Sequence, residues 1–238
     1  MMKEMLVTMR FIGLNPKMNQ RERLNKQIAA HTYNKKRAFS IEGFEIVVYP
    51  QVYPPGLGSS KIFSSYLKGL NKKFNRILEI GCGSGILLLH LAQNAKEMVG
   101  TDINPYALKS ARENIKINKI KNVKIIKSDL FNKIKGKFDL IIFNPPFLSI
   151  RPKNFLESAF TDEKHYTLKR FFKDVKNHLE RDGRILLEFS NMGGEKTLNQ
   201  LIKKHKLKKK VIYKTRIKDL AGIPTTFYIL EIKSQKSL

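Results

Sequence analysis

From Asn75 onward the chain alternates two kinds of hydrophobic spacing. Short apolar runs at Ile77–Ile80, Met98–Thr101, Val123–Ile126 and Leu140–Phe143 have the length and branching of buried strands. Between them, Ile86–Ala95 and Pro105–Asn118 carry apolar residues at helical spacing. Further on, Thr167–Leu179 is amphipathic, Gly183–Ser190 reads as a strand and Glu195–His205 as a helix. The chain closes with two β segments, Lys209–Arg216 and Thr226–Ile232, joined by the turn-like Lys218–Pro224. This alternation predicts an α/β fold with a doubly wound parallel sheet. Two closing strands in direct succession predict an antiparallel pair at one edge.

Before Asn75 the pattern is weaker. Asn19–Lys36 is polar and helix-permissive, with Leu24, Ile28 and Ala29 on one narrow apolar face. Phe44–Pro50 reads as a β segment, and Pro54–Leu70 as a turn followed by a helix capped by Ser59 or Ser60. The expected division is an N-terminal helical extension and flap at residues 1–57 and a main domain at 58–238.

Composition then narrows the class. With 42% hydrophobic and 28% charged residues, the 238-residue chain is that of a folded enzyme-sized body rather than a disordered one. The balance of 46 Lys and Arg against 20 Asp and Glu gives +26, a charge that attracts polyanions, RNA or an RNA-rich particle foremost. Thirty-five of the cations are Lys and 11 are Arg. That bias is also what drift toward AT-rich codons produces, because Arg is the better phosphate reader. The basic runs Lys203–Lys210 and Asn118–Lys127 read either as solvated faces or as a phosphate-tracking rim.

The single cysteine, Cys82, excludes an internal disulfide framework and a cysteine-built zinc site, and no metal site is expected. Met1–Lys17 carries Glu4 and Arg10 within its apolar stretch and makes a poor signal peptide. The longest apolar run, Ile86–Ala92, is far short of the roughly 20 residues a membrane helix needs. A cytoplasmic, monomeric protein with no membrane partner is expected.

Candidate chemistry collects at the ends of the predicted strands. The first leads into a turn with Gly81, Gly83 and Gly85, where backbone approaches a nucleotide closely. Asp102 ends the second, 21 residues after Gly81, where a carboxylate can accept both ribose hydroxyls. Ser128 and Asp129 end the third, where an acceptor can take an adenine amine while Leu130 packs on the ring. The fourth breaks into Asn144, Pro145, Pro146 and Phe147, and two successive prolines force the chain out of the sheet and stiffen it. The Asn144 side-chain oxygen and the Pro145 carbonyl can accept the two hydrogens of an amide or aromatic amine, turning its lone pair toward a donor, with Phe147 covering the planar group. His90 and His178 read as structural histidines, and Cys82 as a small residue in the glycine turn.

These motifs together resemble the class I S-adenosylmethionine-dependent methyltransferases, over about Ile41 to Ile232. The resemblance implies a Rossmann-like seven-stranded sheet with an antiparallel final strand and S-adenosyl-L-methionine as cofactor. It implies that Glu79 and the backbone around Gly81 face the methionine part, that Asp102 and Ile103 meet the ribose and adenine, and that Asn144–Phe147 is the acceptor motif. Gly43–Pro55, the Gly183–Gly194 segment and Lys218–Gly222 are similar to HemK-type release-factor glutamine methyltransferases. Phe147 stands where that family has Tyr, and the arginine that follows Lys218–Gly222 there is absent. The leading expectation is therefore methylation of a protein glutamine in the translation apparatus. The alternatives are an rRNA or tRNA base methyltransferase, at adenine N6 or guanine N2, and a non-catalytic RNA-binding module.

Overall fold

The computed structural model describes residues 18–29 and 33–235; the signal-peptide reading of Met1–Lys17 falls outside the described residues. Helix α1 spans Gln20–Ala29, shorter than the Asn19–Lys36 expected. By Arg37 the chain is in a strand that the sequence reading missed: β1 (Arg37–Ile41) pairs antiparallel with β2 (Phe44–Val48). Glu42 and Gly43 both have positive φ, +52° and +91°. This is the backbone of a tight two-residue hairpin whose twist matches its strands.

Next come α2 (Gly58–Lys68), β3 (Phe74–Ile80), α3 (Ile86–Leu91), β4 (Ala95–Asp102), α4 (Pro105–Ile117), β5 (Val123–Lys127) and β6 (Phe138–Phe143). Then follow α5 (Phe155–Ser158), α6 (Tyr166–Asp174), β7 (Leu179–Ser190), α7 (Glu195–Lys204), β8 (Leu207–Lys218) and β9 (Pro224–Ser234). The expected cap of α2 is corrected. Its N-cap is Leu57, and no side chain caps it; Ser60 Oγ instead donates back to Leu57 O (2.9 Å).

The main sheet runs β5-β4-β3-β6-β7-β9-β8. Neighbours pair in parallel from β5 to β7, and β9 runs antiparallel to both β7 and β8, as the closing pair of strands predicted. The sheet is doubly wound. Phe63, Leu88 and Ala111 of α2, α3 and α4 pack with Ile77, Leu140 and Ile142 on one face. Phe171 and Phe172 of α6 and Leu198 of α7 pack with Leu78, Ile80 and Ile141 on the other. Burying both faces explains why these strands read as continuous apolar runs.

From β3 the chain winds outward through β4 to β5, then returns to place β6 on β3's other side. Open parallel sheets bind ligands where this order reverses, at the carboxyl ends of the strands. The helices around that point are locally determined. In α4 the Asn104 side chain accepts from Tyr106 N (2.9 Å) at the N-cap and Pro105 starts the first turn. Buried Asn114 of α4 reaches across to the hairpin, accepting from Val47 N and donating to Val47 O and Ser84 O. The hairpin and the glycine turn are thus held by one side chain.

Candidate active site

A cavity of about 770 Å³ opens over the β3–β6 switch point and is lined by Glu79, Gly81, Asp102, Asp129, Asn144 and Phe147 among others. Gly85 is left-handed at φ +82°, and a Cβ there would sit 3.3 Å from the Ala111 side chain. Its bare backbone lets α3 start hard against α4. At Gly83 (φ +54°) a Cβ would meet no atom within 4 Å, so this stretch of backbone lies open to the cavity.

Two carboxylates flank the turn. Asp102 Oδ2 accepts from Gly83 N (2.9 Å) and Oδ1 from Asn104 N (2.8 Å), which fixes the carboxylate at the end of β4. Burial raises its pKa, and the backbone N–H groups of Asn104, Gly83 and Ile103 partly offset that. Glu79 is 2% exposed, and its Oε2 has no hydrogen-bond partner. Burial, and secondarily the Asp102 charge, push its carboxyl well above the ordinary range. A buried acid without a donor is poised to receive a cation.

At the end of β5 the structure divides the roles expected of Ser128 and Asp129. Ser128 lines the cavity, and its hydroxyl also builds the turn, donating to Leu130 O and accepting from Lys133 N. Asp129 is held by a bidentate pair with Arg170 of α6 (3.0 and 2.8 Å), a partner the sequence reading missed. Leu130 is buried at φ +48°, and Ile103 stands half exposed at the cavity mouth.

At the end of β6, Asn144 Nδ2 donates to Ser59 Oγ (3.2 Å), leaving Oδ1 with no donor among the described residues. Pro145 and Pro146 line the same wall. Phe147 is buried edge-on against Phe189 and Phe227 (6.4 and 6.1 Å between centroids). Its N–H and that of Leu148 both donate to Phe160 O, so the segment leaving the motif is tied back to the stretch before α6.

Distant elements complete this side. Arg23 of α1 donates to Asp219 Oδ2 (2.7 Å) in the β8–β9 loop and to Thr225, and Gln27 donates to Asp219 as well. Asp219 Oδ1 accepts from Ala221 N and Ile223 N, which shapes the loop. Leu24 is fully buried among Leu148, Leu156 and Phe160. None of these partners carries a local signal, because each pair is joined only by the fold.

The remaining candidates are structural. His90 Nε2 lies 3.0 Å from a Glu42 carboxylate oxygen without forming a hydrogen bond, burial lowers its pKa, and the ring meets Phe44 edge-on. His178 stacks on Phe131 at 4.7 Å. Burial pushes the Cys82 thiol up, away from reactivity. Among the described residues no group of His, Cys, Asp and Glu is arranged to hold a metal, and no helix is long and apolar enough to cross a membrane.

A model of the methyltransferase small domain family matches residues 58–214. Over 169 residues the chain is 38% identical to a proposed protein N5-glutamine methyltransferase of Methanocaldococcus jannaschii, covering 68% of this chain and 84% of that one. A release factor glutamine methyltransferase of Fusobacterium nucleatum is 37% identical over 123 residues, half of this chain but a third of its own length. Among solved structures, the ribosomal protein L11 methylase of Lactobacillus delbrueckii subsp. bulgaricus superposes with a TM-score of 0.57. At 20% identity, over 77% of this chain and 83% of that one, it is similar in fold.

Proposed function

The chain belongs to the methyltransferase small domain family, and on that footing we propose that it is an S-adenosylmethionine-dependent N-methyltransferase whose acceptor is a protein glutamine side chain. The residues present fit that cofactor. Glu79, with an unpartnered buried oxygen, suits the cationic methionine end. Asp102 is pinned by two backbone donors and keeps lone pairs for ribose hydroxyls. Asp129 keeps lone pairs for an adenine amine, with Ile103 and Leu130 for the flat base.

When bound, S-adenosylmethionine supplies an already activated methyl group. What the chain must do is aim the acceptor. An amide nitrogen attacks well only with its lone pair turned out of conjugation and toward the methyl. Asn144 Oδ1 and Pro145 O can accept its two hydrogens, and the proline ring fixes their separation. Phe147, set by Phe189 and Phe227, walls the planar group. The surplus proton leaves to water after transfer, so no strong base is required.

The observation that carries the reading is that one cavity joins an acid-lined nucleotide floor to a carbonyl pair suited to an N–H₂ group. The similarity to the two glutamine methyltransferases supports a glutamine as acceptor. A charge feature bears on the partner. Residues 196–218, across α7 and β8, hold ten Lys and Arg and no Asp or Glu. Exposed Val211, Tyr213 and Ile217 lie among them. We read this face as a contact for RNA in the translation apparatus that presents the protein acceptor. Calorimetry with S-adenosylmethionine tests the first step: binding is expected, and no heat at millimolar cofactor would sink the proposal. Methyl transfer to protein should fall steeply with salt if the basic face takes part.

A further inference from the structure

The two aspartates proposed to meet the nucleotide are held differently. Asp102 is pinned by backbone N–H groups. Asp129 is gripped by a side chain: Arg170 Nη1 donates to its Oδ1 (3.0 Å) and Nη2 to its Oδ2 (2.8 Å). Two bonds from a planar fork fix the rotation of a carboxylate as well as its place, which a single bond from a flexible cation does not. Both residues line the cavity, and the pair stays partly open to it, with the Arg170 side chain 28% and the Asp129 side chain 38% exposed. An ion pair this accessible contributes little to stability, so structure alone is a weak reason for it.

The cation is itself held. At the start of α6, Asp162 accepts from Thr167 N (2.8 Å) and Leu168 N (3.0 Å), and Asp162 N donates to Leu148 O (2.8 Å). Phe171 and Phe172, next to Arg170 in the helix, are fully buried. The Tyr166 ring, one turn earlier, lies over the guanidinium at 5.4 Å and lines the cavity. Arg170 therefore reaches Asp129 from a helix fastened to the core.

A carboxylate has lone-pair sites for about four donors, and the fork takes two of them. What remains is an acceptor of fixed direction whose charge the guanidinium offsets. Such a group suits a neutral N–H donor better than a cation. Glu79, whose Oε2 has no partner, is the contrasting case.

We propose that Arg170 is a positioning residue that orients Asp129 and thereby makes the cavity selective for a purine carrying an exocyclic amine. This rests on the adenine contact given to Asp129 above, and goes beyond it by assigning what aims the acid. Without the fork the carboxylate is free to turn toward water, and the amine loses a preset partner.

The test is calorimetry with S-adenosylhomocysteine and with its deamino counterpart, in which hydrogen replaces the exocyclic amine of the purine. The parent should bind the amino compound about tenfold more tightly, the difference made by one hydrogen bond to a charged group. Arg170→Ala should cut that preference to about twofold by weakening the amino compound alone, with the Kd of the deamino compound unchanged. Arg170→Lys, which keeps the charge without the fork, should lose the preference in the same way. Adding Arg170→Ala to Asp129→Ala should change the preference no further than Asp129→Ala does. The inference is overturned if Arg170→Ala keeps the preference of the parent, if both compounds weaken alike, or if Arg170→Lys retains it in full. A parent that binds both compounds equally would instead remove the adenine role of Asp129, and this inference with it. A parent that binds neither would remove the cofactor reading.

Discussion

On the β3–β4 side of the cavity, Asp102 is held by the N–H groups of Gly83 and Asn104, 19 and two residues away in sequence. On the β6 side, Asn144 leans on Ser59, 85 residues away, and the Asp219 loop on Arg23, 196 residues away. The proposed nucleotide floor is therefore built largely from turns at neighbouring strand ends, with Arg170 of α6 reaching Asp129 from 41 residues away. The proposed acceptor side exists only once α1, α2, β6 and the β8–β9 loop have come together. Such a division lets the acceptor be changed by altering remote pieces while the cofactor floor stays as it is. It also means the two sides should fail differently when disturbed.

The largest expected effect is at Asn144. Removing one positioned hydrogen-bonding group from an active site commonly costs about 10²–10³ in kcat. Asn144→Ala should fall in that range with cofactor affinity unchanged, as read by single-turnover transfer beside calorimetry. Next, Asp102→Ala should weaken cofactor binding by about 2–3 kcal/mol, near a hundredfold in Kd, through the loss of charge-assisted hydrogen bonds. An unaltered Kd would contradict the ribose role.

Third, Arg23→Ala strands Asp219 in a buried site and should cost about 2 kcal/mol of stability. Hydrogen exchange should locate the loosening in α1 and the β8–β9 loop, with the glycine turn still protected. Protection lost equally at both sides would break the comparison. The smallest effect is at Glu79. Its folded pKa is raised, so its unfolded form ionises first as pH climbs, and the native state loses stability above the ordinary carboxylate range. Glu79→Gln should therefore be more stable than the parent at neutral pH, read as a higher Tm. The gap should close in acid, where the parent is protonated in both states. The same variant should bind cofactor more weakly.

How much could be read beforehand follows the same line. Gly81, Gly83, Gly85 and Asp102 were legible because strand, turn and acid lie within one short stretch, each with a local backbone reason. Asn144–Phe147 was legible as a rigid break in a buried strand. Ser128 lines the cavity as expected, but its turn bonds to Leu130 O and Lys133 N, of the kind serine hydroxyls commonly build, were not foreseen. Ser59 was taken for a helix cap. A serine before a helix usually is one, and only Asn144, arriving from β6, gives it another use. Strand β1 was missed because its five residues are mostly exposed, although Glu42-Gly43 was a turn signal that could have revealed the hairpin. Arg170, Arg23 and Gln27 had no signal at all: a surface-spaced cation or amide declares its partner only in three dimensions.

The central claim is transfer of a methyl group to a protein amide nitrogen. Its most direct measurement is incubation with methyl-labelled S-adenosylmethionine and a cell extract, followed by nuclease or protease digestion and acid hydrolysis. The account predicts label that survives ribonuclease, is released by protease, and appears as methylamine when the substituted amide is hydrolysed, with none in the Asn144→Ala reaction. Label that disappears with ribonuclease and is recovered on a methylated base would contradict it.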